Sequence, residues 1–338
     1  MRAARSMATV GWAVLALALA APLGLGDYYL NLGSQMLIAV VFAASLNLLV
    51  GYAGLTSLGH AAFLGLSAYL SAWLELRLGM GHAMGSLIAL AGVLVAGAVF
   101  GWVALRASGL GFLMLTLALG QVVWGLGYRW VSVTDGDNGL RGLTRPSPLG
   151  IDLENPAAFY LVALLATALA LALIAVFVRS PFGVALRGTR DQPRRMRALG
   201  YDVWMIRWLA FVMAAFWAGV AGQLFIAYHK YIHPSALSLQ SSAEVLLAVI
   251  AGGSGTLAGP VVGAVIVVFL KNVVSAWVER WNLLLGVVFL LIVIGLPEGV
   301  VPGLARLWRR WGFGQNVGRG GVQDGSASVA RSGEGRPS

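Results

Sequence analysis

Long apolar stretches separated by short basic connections set the pattern of this chain. Asp, Glu, Lys and Arg are absent from 28–74, 78–105, 107–128, 155–178, 208–229, 245–270 and 281–297. A helix needs roughly 20 apolar residues, each rising about 1.5 Å, to cross a bilayer core about 30 Å thick. A charge at its centre costs about 2.5 to 3.5 kcal/mol on insertion scales. The neutral stretches therefore mark bilayer depth, and 28–74 is too long for a single crossing. The spacing predicts an all-α fold, a polytopic transmembrane helical bundle of about ten helices with interrupted segments. They are expected near 8–25, 34–51, 58–75, 84–105, 111–129, 157–178, 207–228, 242–257, 259–278 and 282–297.

Composition agrees, since 59% hydrophobic and 11% charged residues exceed what one soluble core could bury. With no cysteine and four scattered histidines, disulfides and thiolate metal sites are excluded and no ligand cluster is evident. No cofactor is implied. The net charge of +10 lies in connections and a tail between apolar spans, which points to membrane orientation and not to nucleic acid.

Seven arginines (179, 187, 190, 194, 195, 197 and 207) face only Asp191 and Asp202 between 179 and 207. By the positive-inside rule this segment is cytoplasmic. Alternation then puts both termini, with Arg2, Arg5, Arg306, Arg309 and Arg310, and the turn at Arg106 on the same side. The connection 130–156 falls outside. The opening stretch resembles a signal peptide as well as a helix, and its apolar run to Leu25 favours an uncleaved helix. The expected organisation is a transmembrane domain over 1–305, with a cytoplasmic loop at 179–206 and a periplasmic loop at 130–156. A Gly-, Ser- and Arg-rich cytoplasmic tail, expected to be disordered, covers 306–338.

Two stretches break helical regularity inside apolar surroundings: Gly51-Tyr-Ala-Gly54-Leu-Thr-Ser57-Leu-Gly59-His60 and Gly252-Gly253-Ser-Gly255-Thr-Leu-Ala-Gly-Pro260. Backbone freed at membrane depth must be buried in protein or face a wet cavity, so such breaks either line a route or form tight turns at the surface. Gly255, Gly259 and Gly263 recur every four residues, a pattern for close helix packing. A helix pair following each break hints at a repeat. Polar residues within the spans are few: Asn47, Thr116, Gln121 and Asn272, with Lys271 and His60 nearer span ends. Their alternatives are interhelical hydrogen bonding, lining a pathway or, for Lys271, snorkelling. Pathway candidates are Asn47, Gly51, Gly54, Ser57, Gly59, His60, Thr116, Gln121, Gly253 and Gly255.

Enzymatic patterns fail on inspection. Gly252-Gly-Ser254-Gly fits a short rhomboid-type pattern, but no histidine follows His233. Ser57 with His60 lacks any acidic partner within 28–74. No Gly-x-x-x-x-Gly-Lys-Ser/Thr loop occurs, so ATP, if used, is bound elsewhere.

The most informative polar segment runs from Ser180-Pro181-Phe182-Gly183 through Arg187, Arg190 and Asp191 to Ala198-Leu199-Gly200. Pro193 can open a short helix that Gly200 closes. A basic helix outside the bilayer suits a docking surface, anionic lipid or simple orientation.

Together with 46–63, Thr116 to Gln121, 135–140 and 252–263, this segment resembles the permeases of branched-chain amino acid ABC importers, in particular the LivM-type subunit. The similarity covers roughly 35–300. It implies a transport subunit without its own ATPase site in a bacterial inner membrane, forming the pathway for branched-chain amino acids. Implied partners are a homologous second permease, two ATP-binding cassette subunits and a periplasmic substrate-binding protein. The resemblance marks Ser180 to Gly200 as the ATPase-coupling loop. Gly183, Arg187, Arg190, Ala198 and Gly200 match the pattern. Where that family usually shows a Glu-Asn-Glu run after the arginine, this chain has Asp191-Gln192-Pro193 and two arginines.

Two other readings compete. Urea, short amides or other amino acids are carried by similar permeases. An ion-coupled secondary transporter would need charged groups at mid-span, where this chain has none.

Overall fold

Helix boundaries follow the neutral stretches closely. The computed structural model describes residues 18–20, 22, 24, 26–145, 152–274, 281–296 and 298–311. Helix α1 spans Asp27–Asn47 and widens into a π turn at Leu48–Ala53, followed by α2 (Ala61–Leu78), α3 (His82–Ala104) and α4 (Leu110–Arg129). After short turns and strand β1 (Leu140–Arg141) come α5 (Pro156–Arg179), α6 (Pro181–Asp191), α7 (Pro193–Ala198) and α8 (Val203–His229). Strand β2 (Tyr231–Ile232), α9 (Leu239–Gly252), α10 (Ala258–Phe269) with a π turn at Leu270–Val274, α11 (Trp281–Gly295) and α12 (Val300–Trp311) complete the chain. Among the described residues, five helices are long and apolar enough to cross a membrane: Asp27–Ala53, His82–Ala104, Leu110–Arg129, Pro156–Arg179 and Val203–His229. The expected helix at 8–25 falls mostly outside the described residues. Helical order covers 306–311, the first part of the expected tail, and 312–338 lie outside the described residues.

Helix α8 is the centre of the fold, packing on α1, α2 and α3. On its other sides α1 meets α5, α9 and α10. Helix α3 shows how a hydrophobic helix is oriented when every face is apolar. Its buried residues, Gly85, Ala89, Val93, Gly97, Gly101 and Ala104, recur about every four positions and are small. A Cβ added at Gly97 would lie 2.6 Å from the Ala215 Cβ of α8, so α8 reaches almost to the α3 backbone. Leu87, Val95, Val99 and Trp102 face outward. Apolar side chains outside and small ones inside are the arrangement expected in lipid, where helices associate by packing and not by hydrophobic burial.

The far end of α8 is tied down by the connections. Strands β1 and β2 pair antiparallel, Leu140 opposite Ile232 and Arg141 opposite Tyr231. Arg145 donates to the carbonyls of Leu153 at 2.8 Å and Tyr228 at 3.3 Å, and its guanidinium lies 4.9 Å from the Phe159 ring centroid. Ion pairs Arg77–Asp135 and Lys230–Glu154 bind the same connections to the ends of α2 and α8.

Candidate functional site

The first interruption starts where α1 loosens into its π turn and stops at Gly54, whose φ of 69° lies in the left-handed region that glycine enters without steric cost. Residues 54–60 then run without regular helix to the start of α2. Three neighbours satisfy this freed backbone. Leu58 N–H donates to Thr116 Oγ1 at 3.3 Å, Ala61 N–H to Ser242 Oγ at 3.1 Å and Leu55 N–H to Leu49 O at 2.9 Å. Gly59 lies directly on α4, since a Cβ there would sit 2.0 Å from Thr116 O, and one at Gly120 would sit 2.9 Å from Gly59 Cα. His60 is fully buried and stacks on Phe42, with Nε2 2.8 Å from Ser45 Oγ. Ser45 donates its own proton to Phe42 O at 2.6 Å, which leaves its oxygen to accept from His60 Nε2–H. Ser57 Oγ accepts from Gly59 N–H at 3.4 Å. Ser57 and His60 thus have separate partners, and Thr116 and His60 both make contacts around the break. Gln121 lies part-buried on α4.

The second interruption is a turn between α9 and α10. Gly253 and Gly255 have φ of 112° and 81°, and Thr256 Oγ1 donates to Gly253 O and accepts from Gly259 N–H, both at 2.9 Å. A Cβ at Gly263 would meet Ala248 O at 1.8 Å, and one at Gly259 would meet Gly253 O at 2.1 Å. The glycine spacing therefore does bring helices together, but through Gly259 and Gly263. Gly255 departs from the expected helical face because it sits in the turn, before α10 begins.

One buried side chain joins the two interruptions. Asn47, 2% exposed, accepts from Gly255 N–H and donates to Thr256 O, each at 2.9 Å. At Gly51 a Cβ would lie 2.3 Å from Gly255 N, so the two backbones touch. This packing is what the glycines allow.

The basic loop is two short helices, α6 and α7. Ser180 caps α6, its Oγ accepting from Gly183 N–H at 3.3 Å, with Pro181 in the first turn; this is the arrangement the fixed proline φ favours. Phe182 packs its ring on Phe177 at 5.1 Å between centroids. A Cβ at Gly183 would lie 2.2 Å from Val178 O, so the corner between α5 and α6 is tight. Three arginines fasten α6 to the bundle. Arg187 reaches Val178 O at 3.3 Å, Arg207 of α8 reaches Thr189 O at 2.8 Å, and Arg190 donates to Gly51 O. Arg190 also pairs with Asp191 at 3.3 Å and lies beside Gly54 and Gly255. The helix that Pro193 predicts is present as α7, whereas α6 is not among the expected helices. Ala198 ends α7, Leu199 is exposed, and Gly200 turns the chain with φ of 87°.

A cavity of about 340 Å³ lies among α1, α8, α9 and α10. Its apolar wall includes Ile38, Phe42, Leu64, Val245 and Val267, and its polar lining includes Gln35, His229, Glu244, Lys271 and Asn272. Lys271 Nζ pairs with Glu244 Oε2 at 3.0 Å, and Asn272 donates to Gln35 Oε1 at 3.2 Å. None of the ten pathway candidates lines this cavity. Lys271 and Asn272 were visible as polar residues in a span, whereas Gln35 and Glu244 sit near span ends and gave no signal.

Residues 28–294 match the model of the family described as branched-chain amino acid transport system / permease component. The chain is 29% identical over 315 residues to the high-affinity branched-chain amino acid transport system permease protein LivM of Escherichia coli, covering 86% of this chain and 74% of the relative. The LivM protein of Salmonella typhimurium matches with the same identity and coverage. A solved structure of PsaBC from Streptococcus pneumoniae in complex with Fab aligns with a TM-score of 0.33 and 15% identity over 76% of this chain and 94% of its own, a likeness too low to build on. With most of its length inside the family match and, among the described residues, five helices long and apolar enough to cross a membrane, this chain belongs to the permease components of branched-chain amino acid transport systems.

Proposed function

We propose that this permease forms part of the import pathway for branched-chain amino acids in a bacterial inner membrane, driven by separate ATP-binding cassette subunits. A homologous second permease and a periplasmic substrate-binding protein complete the assembly. In this reading α6 and α7 face the cytoplasm with both termini, and the β1–β2 connections face the periplasm. The observation that carries the mechanism is the bond from Arg190 to Gly51 O. It connects the segment read as the ATPase-docking loop to the first helix break, and Asn47 connects that break to the second. Movement of α6 by a docked ATPase would therefore be delivered to α1, α9 and α10 through short polar contacts. A rigid lever of this kind is what ATP binding on another subunit requires in order to shift membrane helices. Cys-free, this chain accepts single reporter cysteines at Val184 and Tyr231, both exposed. Labelling of Val184→Cys only from the cytoplasm and Tyr231→Cys only from the periplasm supports the orientation. Leucine uptake by the reconstituted complex must require the ATPase and ATP. Uptake by this chain alone under a proton or sodium gradient would overturn the assignment.

A further inference from the structure

Lys271 and Glu244 form an ion pair on the wall of the cavity, and each has a second feature suited to holding a ligand. Glu244 is the less exposed partner, at 19% against 48% for Lys271. Its other oxygen accepts from Gln240 Nε2 at 3.1 Å, so the carboxylate is fixed in place. Lys271 and Asn272 lie in the π turn Leu270–Val274, the type of irregularity that often accompanies functional sites because it turns side chains off their helical bearing. Both residues line the cavity. Its volume of about 340 Å³ is within the range of small-molecule sites, which are mainly apolar with a few placed polar groups.

We infer that this cavity is a recognition station for a zwitterionic α-amino acid, with Glu244 taking the ammonium group and Lys271 the carboxylate. The aliphatic side chain lies against Ile38, Phe42, Leu64, Val245 and Val267. Insertion of the zwitterion exchanges one ion pair for two charge-assisted contacts, so neither charged residue is left unpaired in a confined site. An uncharged amide satisfies neither residue and would leave the original pair to be broken without replacement. The inference rests on the transport reading given above and adds the residues that read the charged end of the substrate.

The test uses the complete reconstituted transporter with its binding protein. Glu244→Gln and Lys271→Met are each expected to reduce ATP-driven leucine uptake by roughly tenfold or more, the loss expected for a charge-assisted hydrogen bond. Assembly of the variant complexes, read by size-exclusion chromatography, is expected to match that of the unaltered complex, because α6 and the glycine breaks are untouched. The exchanged variant Glu244→Lys with Lys271→Glu restores a structural ion pair but reverses the polarity that the apolar wall orients. It is expected to remain impaired. Full uptake in both single variants, or recovery in the exchanged one, would overturn the inference while leaving the transport assignment in place. Absence of leucine uptake in the unaltered complex would instead remove the transport assignment itself.

Discussion

Replacing Asn47 by alanine removes both bonds that connect the two helix breaks. The side chain is 2% exposed, and its loss leaves Gly255 N–H and Thr256 C=O without their partners at 2.9 Å. A buried polar group stripped of its partner costs about 1 to 3 kcal/mol. Gly255 and Thr256 are only part-buried, so water can recover some of this, and about 1 to 3 kcal/mol in total is the expected local loss. Opening of the 253–258 turn should then become more frequent by roughly 5- to 150-fold, since 1.4 kcal/mol corresponds to a factor of ten. Hydrogen exchange by mass spectrometry on the purified permease should show faster exchange in peptides covering 253–258. Peptides in the middle of α8 should be unchanged. ATP-driven uptake should fall in parallel, with ATPase docking retained. Unchanged exchange at 253–258, or faster exchange with full uptake, would refute the claim that Asn47 transmits movement between the breaks.

Other substitutions separate packing from coupling. Gly263→Val should lower the thermal midpoint of the permease, because even a Cβ would sit 1.8 Å from Ala248 O and overpacking costs typically about 1 to 3 kcal/mol; differential scanning fluorimetry would read the shift. Arg190→Ala loses a charge-assisted bond worth about 1.5 to 3 kcal/mol, so uptake should be abolished while membrane insertion, read by immunoblot, is kept. His60→Phe retains the stacking on Phe42, and the two groups it removes, the partnerless Nδ1 and the Nε2 donor to Ser45 Oγ, both lie within the packing of the break. Uptake should therefore persist, and its loss would return His60 to the pathway. Gly183→Ala should impair uptake more than Gly200→Ala, because the first meets Val178 O at 2.2 Å, whereas the second meets open space and strains only its own backbone at φ 87°.

Span positions were legible because charge is excluded from lipid-facing helices, a rule that works residue by residue. The two interruptions were also visible, since glycines crowd together at 51, 54 and 59 and at 252, 253 and 255, and such clusters disfavour a continuous helix. That they press on one another was not, because contact between residues 47 and 255 depends on the path of α1 and α9 and leaves no periodic trace. The same reason hid the cavity. Gln35 and Glu244 are ordinary polar residues near span ends, and only the packing of α1 against α9 and α10 brings them near Lys271. Helix α6 was missed because its charged residues, read along the chain, suggest a solvated loop. Their role emerges only when Arg187 and Arg190 are seen reaching carbonyls of other segments.

Helix α8 is 27 residues long, about 40 Å at 1.5 Å per residue, and it is held differently at its two ends. The β1–β2 clasp, with Gly139 pressed against Ile232 O, knots together the loops at one extremity, while single side-chain tethers such as Arg207 to Thr189 O occupy the other. A rod clamped at one end and jointed at the other swings about the clamp, so the smallest displacements fall near the clasp and the largest near α6. Any tilting of α8 should accordingly pivot from the clasp.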